Sequence, residues 1–174
     1  MANTIREQKV IDTNKRALLK YVFLSDGTAE ANTILVDASM LSGALNANGQ
    51  IMSSNTHPKR IYKTKVKRIF GQGKINSYVT LAWSGINATG NVEILTLSNG
   101  SFDYNFENLG DNAVVPNPGI ADANCNGDIV FSINNNRLND AFTVFIDLRK
   151  DSEDYSAGQF ADPTAFNRGP AAGF

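Results

Sequence analysis

The sequence holds one cysteine, one histidine and one tryptophan in 174 residues. A single cysteine, Cys125, excludes an internal disulfide framework. His57 and Cys125 lie far apart in the chain and do not assemble the three or four donors that a zinc site takes. A Ser–His–Asp arrangement would have to use His57, which precedes Pro58 in a turn-like run. No GxSxG elbow, P-loop or dinucleotide fingerprint accompanies it. Net charge is scarce too: 16 Lys and Arg against 17 Asp and Glu leave −1, so no global field recruits nucleic acid or a membrane. No apolar run approaches the ~20 residues of a spanning helix, and residues 1–10 lack the apolar stretch of a secretion signal. These shortages point away from an enzyme, away from any cofactor, and toward synthesis in a reducing cytosol.

The last shortage is local. Residues 151–174 contain no Val, Leu, Ile or Met, yet they carry Tyr155, Phe160, Phe166 and Phe174. A segment without aliphatic side chains cannot build a core of its own and must borrow a surface to become ordered. Spaced aromatics suit that role, because each fills a separate pocket at low entropic cost. The expectation is an extended C-terminal arm whose four aromatics anchor on a neighbouring molecule.

What is present is a β pattern. Ile129, Phe131 and Ile133 alternate with Val130 and Ser132, and Phe142, Val144, Ile146 and Leu148 alternate with Thr143, Phe145 and Asp147. Residues two apart share a strand face, so each run offers one apolar face to a core. Phe145 interrupts the polar side and implies an outer face that is itself partly covered. Asn99-Gly100 separates a run at 91–98 from one at 101–107, which predicts a hairpin through a type I′ turn. Further strands are expected at 16–24, 32–37, 60–70 and 75–83, the last two joined through Gly71-Gln72-Gly73. Residues 38–46 read as a short helix weakened by Gly43. Asn is about one residue in eight and marks turns between strands. The expected fold is all-β, a single β-sandwich or jelly-roll-like domain, with an N-terminal extension at 1–10, a body at 11–150 and the arm at 151–174.

Two stretches are candidates for binding. From Lys59 to Lys74 there are seven basic residues and no acidic one. Lys63, Lys65 and Lys67 fall on one strand face, opposite Tyr62, Thr64 and Val66. Such a stripe protects a sheet edge against aggregation or meets an acidic protein surface, with nucleic acid the least favoured partner. Asp122, Asn124, Asn126, Gly127 and Asp128 follow the first half of a calcium loop, but Ile133 stands where the bidentate Glu belongs. An Asx-rich turn is therefore the preferred reading there, and calcium the weaker one. Trp83, with Tyr78 nearby, offers either a core residue or a sugar-stacking platform.

The runs Ile11-Asp12-Thr13-Asn14-Lys15-Arg16-Ala17-Leu18-Leu19-Lys20-Tyr21-Val22-Phe23, Ser25-Asp26-Gly27-Thr28-Ala29-Glu30 and Arg68-Ile69-Phe70-Gly71-Gln72-Gly73-Lys74-Ile75-Asn76-Ser77-Tyr78-Val79 resemble small virion structural proteins of tailed phages that infect marine cyanobacteria. The resemblance spans about residues 11–148 and rests on overall phrasing, so it transfers no functional residue. It implies a non-enzymatic particle component, made in the host cytoplasm and found in the virion. A capsid-decoration protein bound to the major capsid protein, as a homo-oligomer such as a trimer, is the first expectation. A neck or tail adaptor is the second, and a carbohydrate-binding adhesin using Trp83 is an alternative of another class.

Overall fold

The computed structural model describes residues 3–52, 57–85, 90–107, 115–116 and 125–157. Ten strands occur among them: β1 (Thr4–Asp12), β2 (Arg16–Asp26), β3 (Glu30–Val36), β4 (Thr64–Lys74), β5 (Val79–Gly85), β6 (Val92–Leu97), β7 (Gly100–Asn105), β8 (Val115–Pro116), β9 (Cys125–Ile133) and β10 (Leu138–Lys150). They form two antiparallel sheets. The larger runs β1-β2-β10-β4-β7, with β8 also on β4, and the smaller runs β3-β9-β5-β6. The expected helix at 38–46 is reduced to one 3-10 turn, Ala38–Met40, capped by the Asp37 side chain on the Ser39 N–H. Gly43, at φ +81°, follows it, and Ala44, Leu45 and Asn46 make isolated bridges instead of a helical turn.

The core lies between the sheets, and period-two alternation builds it. Ala17, Leu19, Tyr21 and Phe23 of β2 and Phe142, Val144, Ile146 and Leu148 of β10 point inward from the larger sheet. Val79, Leu81 and Trp83 of β5 and Ile129, Phe131 and Ile133 of β9 answer from the smaller one. Phe23 and Phe142 are register partners whose rings stack at 4.9 Å, and Phe131 meets both edge-on at 5.6 and 5.9 Å. Edge-to-face contacts of this kind add specificity to simple burial. Trp83 is 1% exposed and paired in register with Ile129 and Val92, so it is a core residue with no face to offer a sugar.

The expected Asn99-Gly100 hairpin does not form. β6 pairs with β5 in the smaller sheet and β7 pairs with β4 in the larger one, so the chain crosses between sheets at that point. The Asn99 side chain accepts from the Ile75 N–H at 3.2 Å and ties this corner to the crossing from β4 to β5. Gly71 and Gly73, read as a turn, lie inside β4. A Cβ on Gly71 would sit 2.0 Å from the Thr143 carbonyl oxygen, so the glycine permits close contact with β10. β9 and β10 likewise belong to different sheets. Consecutive strands that do pair are β5 with β6 and β1 with β2, the latter closed where the Thr13 N–H donates to Arg16 O at 2.9 Å. Residues Thr4–Asp12 thus make a full strand, not the extension expected for residues 1–10.

Burial of phenols couples this core to pH. Tyr21 and Tyr155 are almost fully buried, and burial raises both above their ordinary value of 10.0. Desolvation raises Tyr62 as well. A raised folded-state value means that the neutral phenol favours folding, so stability is whole below pH 10 and falls above it. Lys150, which burial holds below its ordinary 10.5, has the opposite sign, but it is one ammonium against three phenols. Tyrosinate absorbance at about 295 nm is expected to show these three phenols ionising only together with loss of the near-UV circular dichroism signal. Ionisation of all five tyrosines in the folded protein would contradict this.

Candidate functional site

The outward face of the larger sheet carries the residues with most to offer a ligand or partner. Across four strands the register aligns Lys20, Phe145, Phe70 and Asp103. The Phe70 and Phe145 rings stack at 4.8 Å with a 2° tilt. Lys20 Nζ stands 5.8 Å from the Phe145 centroid, and the Arg68 guanidinium lies 4.7 Å over Phe70. Asp103 fixes Arg68 from the adjacent strand, with Nε donating to Oδ1 at 2.8 Å. This contact raises the arginine's pKa and lowers that of Asp103. The pair is exposed and contributes little stability, but it orients the guanidinium over the ring. The odd position of Phe145 in the sequence pattern therefore marks a half-buried aromatic pair on the sheet's outer side.

The lysine stripe is placed differently from expectation. Tyr62, Thr64 and Val66 are buried opposite it, as the alternation requires. However, β4 pairs with β10 along one side and with β7 and β8 along the other, so it is an interior strand and needs no edge protection. A register shift between Asp147 and Leu148 leaves Lys67 without a partner opposite β10 and reverses the phase of β4, which puts Arg68 outward and Ile69 in the core. Such a bulge re-aims side chains locally. The three lysines also part company. Lys63 pairs with Glu153, Lys67 pairs with Glu107 at 2.9 Å, and Lys65 makes no ion pair with a described residue. Lys65 instead stands opposite Arg149 of β10, which in turn stands opposite Arg16 of β2.

Tyr155 is the clearest correction. Expected as an anchor on a neighbour, it is 1% exposed in this chain's own core. Its hydroxyl donates to Ala38 O at 2.9 Å, its ring lies 5.7 Å from Tyr62, and the Lys150 ammonium sits 5.0 Å over it. Main-chain bonds hold the segment on both sides. Leu45 N–H donates to Asp154 O at 2.9 Å, and Ser156 N–H donates to Gly43 O at 2.8 Å. Asp154 accepts from Lys59 Nζ at 2.9 Å and from the Lys63 N–H at 2.7 Å. The body therefore extends through Ser156 and not only to Lys150. Phe160, Phe166 and Phe174 lie outside the described residues.

Asp122 and Asn124 of the calcium-like run also lie outside them. Asn126 and Asp128 are engaged with each other: the Asp128 N–H donates to Asn126 Oδ1 at 2.9 Å, which is an Asx turn, and Asn126 Nδ2 donates to Asp128 Oδ2 at 2.8 Å. Asp128 Oδ1 accepts from the Ala38 N–H at 2.8 Å. Burial, reinforced by nearby Asp37, raises the Asp128 pKa. Among the described residues no group of three or more His, Cys, Asp or Glu is placed to hold a metal. His57 is exposed, at φ +58°, and its carbonyl accepts from the Ala47 N–H at 3.0 Å.

A second cationic group went unread in the sequence. Lys15, Lys65 and Arg149 line one cleft of about 500 Å³ at the end of the larger sheet. Lys65 belongs to the stripe, whereas Arg149 is distant in sequence and joins it through strand pairing, and Lys15 joins through the bond from the Lys150 N–H to its carbonyl. No protein-family model, no curated protein and no solved structure matches this chain.

Proposed function

We propose that this chain is a virion structural protein, a capsid-decoration subunit that binds the shell of a phage particle by surface burial. The strand order carries this reading. With β1 set aside as an added edge strand, β2-β10-β4-β7 faces β3-β9-β5-β6. Among these eight strands every connection crosses from one sheet to the other except β5 to β6, which pair within the smaller sheet, and this order is like that of an eight-stranded jelly roll. Such folds recur in viral capsid and lectin domains. This step is an analogy of fold, joined to the resemblance in sequence phrasing, and the site chemistry is what must carry the role. The outer face supplies that chemistry through the Phe70–Phe145 stack, framed by Lys20, Arg68 and Asp103. Aromatic and arginine anchors with a charged rim are the usual makings of a protein interface. The lectin-like reading loses its tryptophan, since Trp83 is buried.

The experiment is a particle-association assay with two variants. A chain ending at Ala157 keeps the described contacts of Tyr155 and is expected to fold with an unchanged melting temperature. It is expected to lose particle association if Phe160, Phe166 and Phe174 are the anchors. Phe145→Ser combined with Phe70→Ser tests the sheet face separately. Association at parental level by both variants would refute the proposal. Copy number on purified particles then separates shell from neck: decoration of a symmetric lattice requires on the order of hundreds of copies, and a single ring about a dozen.

A further inference from the structure

Three strand ends meet where the larger sheet finishes. The Lys150 N–H donates to Lys15 O at 2.9 Å, and the Asp151 N–H donates to Lys63 O at 3.0 Å, so the starts of β2 and β4 are both pinned to the end of β10. In this corner Arg16, Arg149 and Lys65 occupy neighbouring strands in one row. Adjacent strands are ~4.8 Å apart, so three cations in a row repel one another unless something neutralises them. One is neutralised internally: Arg16 donates from Nε and Nη2 to Asp147 at 2.9 and 2.8 Å. Lys63, beside the row, is taken by Glu153. Lys15, Lys65 and Arg149 are exposed and make no ion pair with any described residue. All three line the same cleft of about 500 Å³. Its one acidic group is Asp151, whose Oδ1 accepts from the Glu153 N–H at 2.9 Å.

We infer that this cleft is a binding site for a compact tetrahedral oxyanion, the phosphate or sulfate group of a small or terminal ligand. Strand pairing sets Lys65 against Arg149 at a cost in repulsion, the Lys150–Lys15 main-chain bond brings Lys15 to the same cleft, and a doubly charged oxyanion offsets the repulsion. Arg149 offers a planar fork for two oxygens, while Lys15 and Lys65 act as point charges on either side. A cleft of this size accommodates a ligand of a few tens of atoms at most. An extended polyanion fits badly, because Asp147 and Glu153 flank the cleft and interrupt any continuous positive track. This site stands independently of the assembly role.

The test is calorimetric and NMR titration of the full chain at low ionic strength with pyrophosphate, inorganic sulfate and a hexose phosphate. Saturable binding is expected, with amide shifts centred on Lys15, Lys65, Arg149 and Ser152. A hexose phosphate binding more tightly than pyrophosphate would assign the group to a sugar-borne ligand, and the reverse to a free oxyanion. Either result supports the site. Arg149→Gln and Lys65→Gln are each expected to weaken binding roughly tenfold or more with a melting temperature no lower than the parent's, since charge-assisted bonds of this kind reach that size and either change relieves the repulsion. Lys20→Gln, on the same sheet face but outside the cleft, is expected to bind like the parent. Unsaturable shifts, or equal loss in Lys20→Gln, would overturn the inference. So would tighter binding of a single-stranded oligonucleotide with a steep salt dependence.

Discussion

Replacing Tyr155 by Ala is expected to destabilise the domain by about 3–5 kcal/mol, the range for removing a fully buried aromatic ring. For a chain of this length that corresponds to a fall in melting temperature on the order of 10 °C. The size follows from what the ring touches. It fills space beside Tyr62, its hydroxyl satisfies the Ala38 carbonyl, and its face receives the Lys150 ammonium. Tyr155→Phe keeps the packing and loses only the bond to Ala38, so about 1 kcal/mol is expected from it. Chemical denaturation with a common m-value measures both. If Tyr155→Ala cost no more than an exposed change such as Ser152→Ala, the segment after Lys150 would not belong to the fold. The same argument separates two truncations. Ending the chain at Lys150 removes Tyr155 and should unfold much of the population at physiological temperature, whereas ending it at Ala157 should not.

The second large effect is expected at Asp12. Lys150 Nζ is fully enclosed, and it is held by the Asp12 carboxylate and by Ser42 O at 2.9 Å. Asp12 also accepts from the Ser42 N–H at 3.1 and 3.0 Å, which joins the β1–β2 turn to the loop after the 3-10 turn. Burial disfavours the ammonium and pushes its pKa down, while Asp12 opposes that shift. Asp12→Ala removes the partner and leaves a buried charge, at an expected cost of about 3–5 kcal/mol. Adding Lys150→Met removes the stranded charge with an apolar chain of similar length and should recover most of that loss. A double-mutant cycle reads the coupling directly. A cost below about 1 kcal/mol for Asp12→Ala would mean that the pair behaves like an exposed salt bridge.

Much of the secondary structure was legible because alternation is written locally. The runs at 129–133 and 142–148 place the same residues inward in the sequence and in the fold. Phe145, out of phase with its polar neighbours, pointed to a covered outer face, and there it stacks on Phe70. Pairing was much less legible. Asn99-Gly100 has the backbone freedom for a tight turn, and Gly100 does adopt φ +108°, but a corner between two sheets needs the same freedom. The turn signature therefore cannot say whether the next strand returns beside the last one. β1 was missed for a related reason: its residues are mostly exposed, so no apolar period marks them.

By itself, the sequence determined that the chain builds strands and which faces of them are apolar. Tertiary structure decided everything that depends on partners far away in the chain. It turned the apparent Asn99-Gly100 hairpin into a sheet crossing, drew Tyr155 into its own core, made the lysine-bearing strand an interior one, and gathered Lys15, Lys65 and Arg149 around one cleft. The physical reason is the range of each determinant. Alternation needs only neighbouring residues on one backbone, whereas pairing is chosen by how the whole set of apolar faces is best buried together.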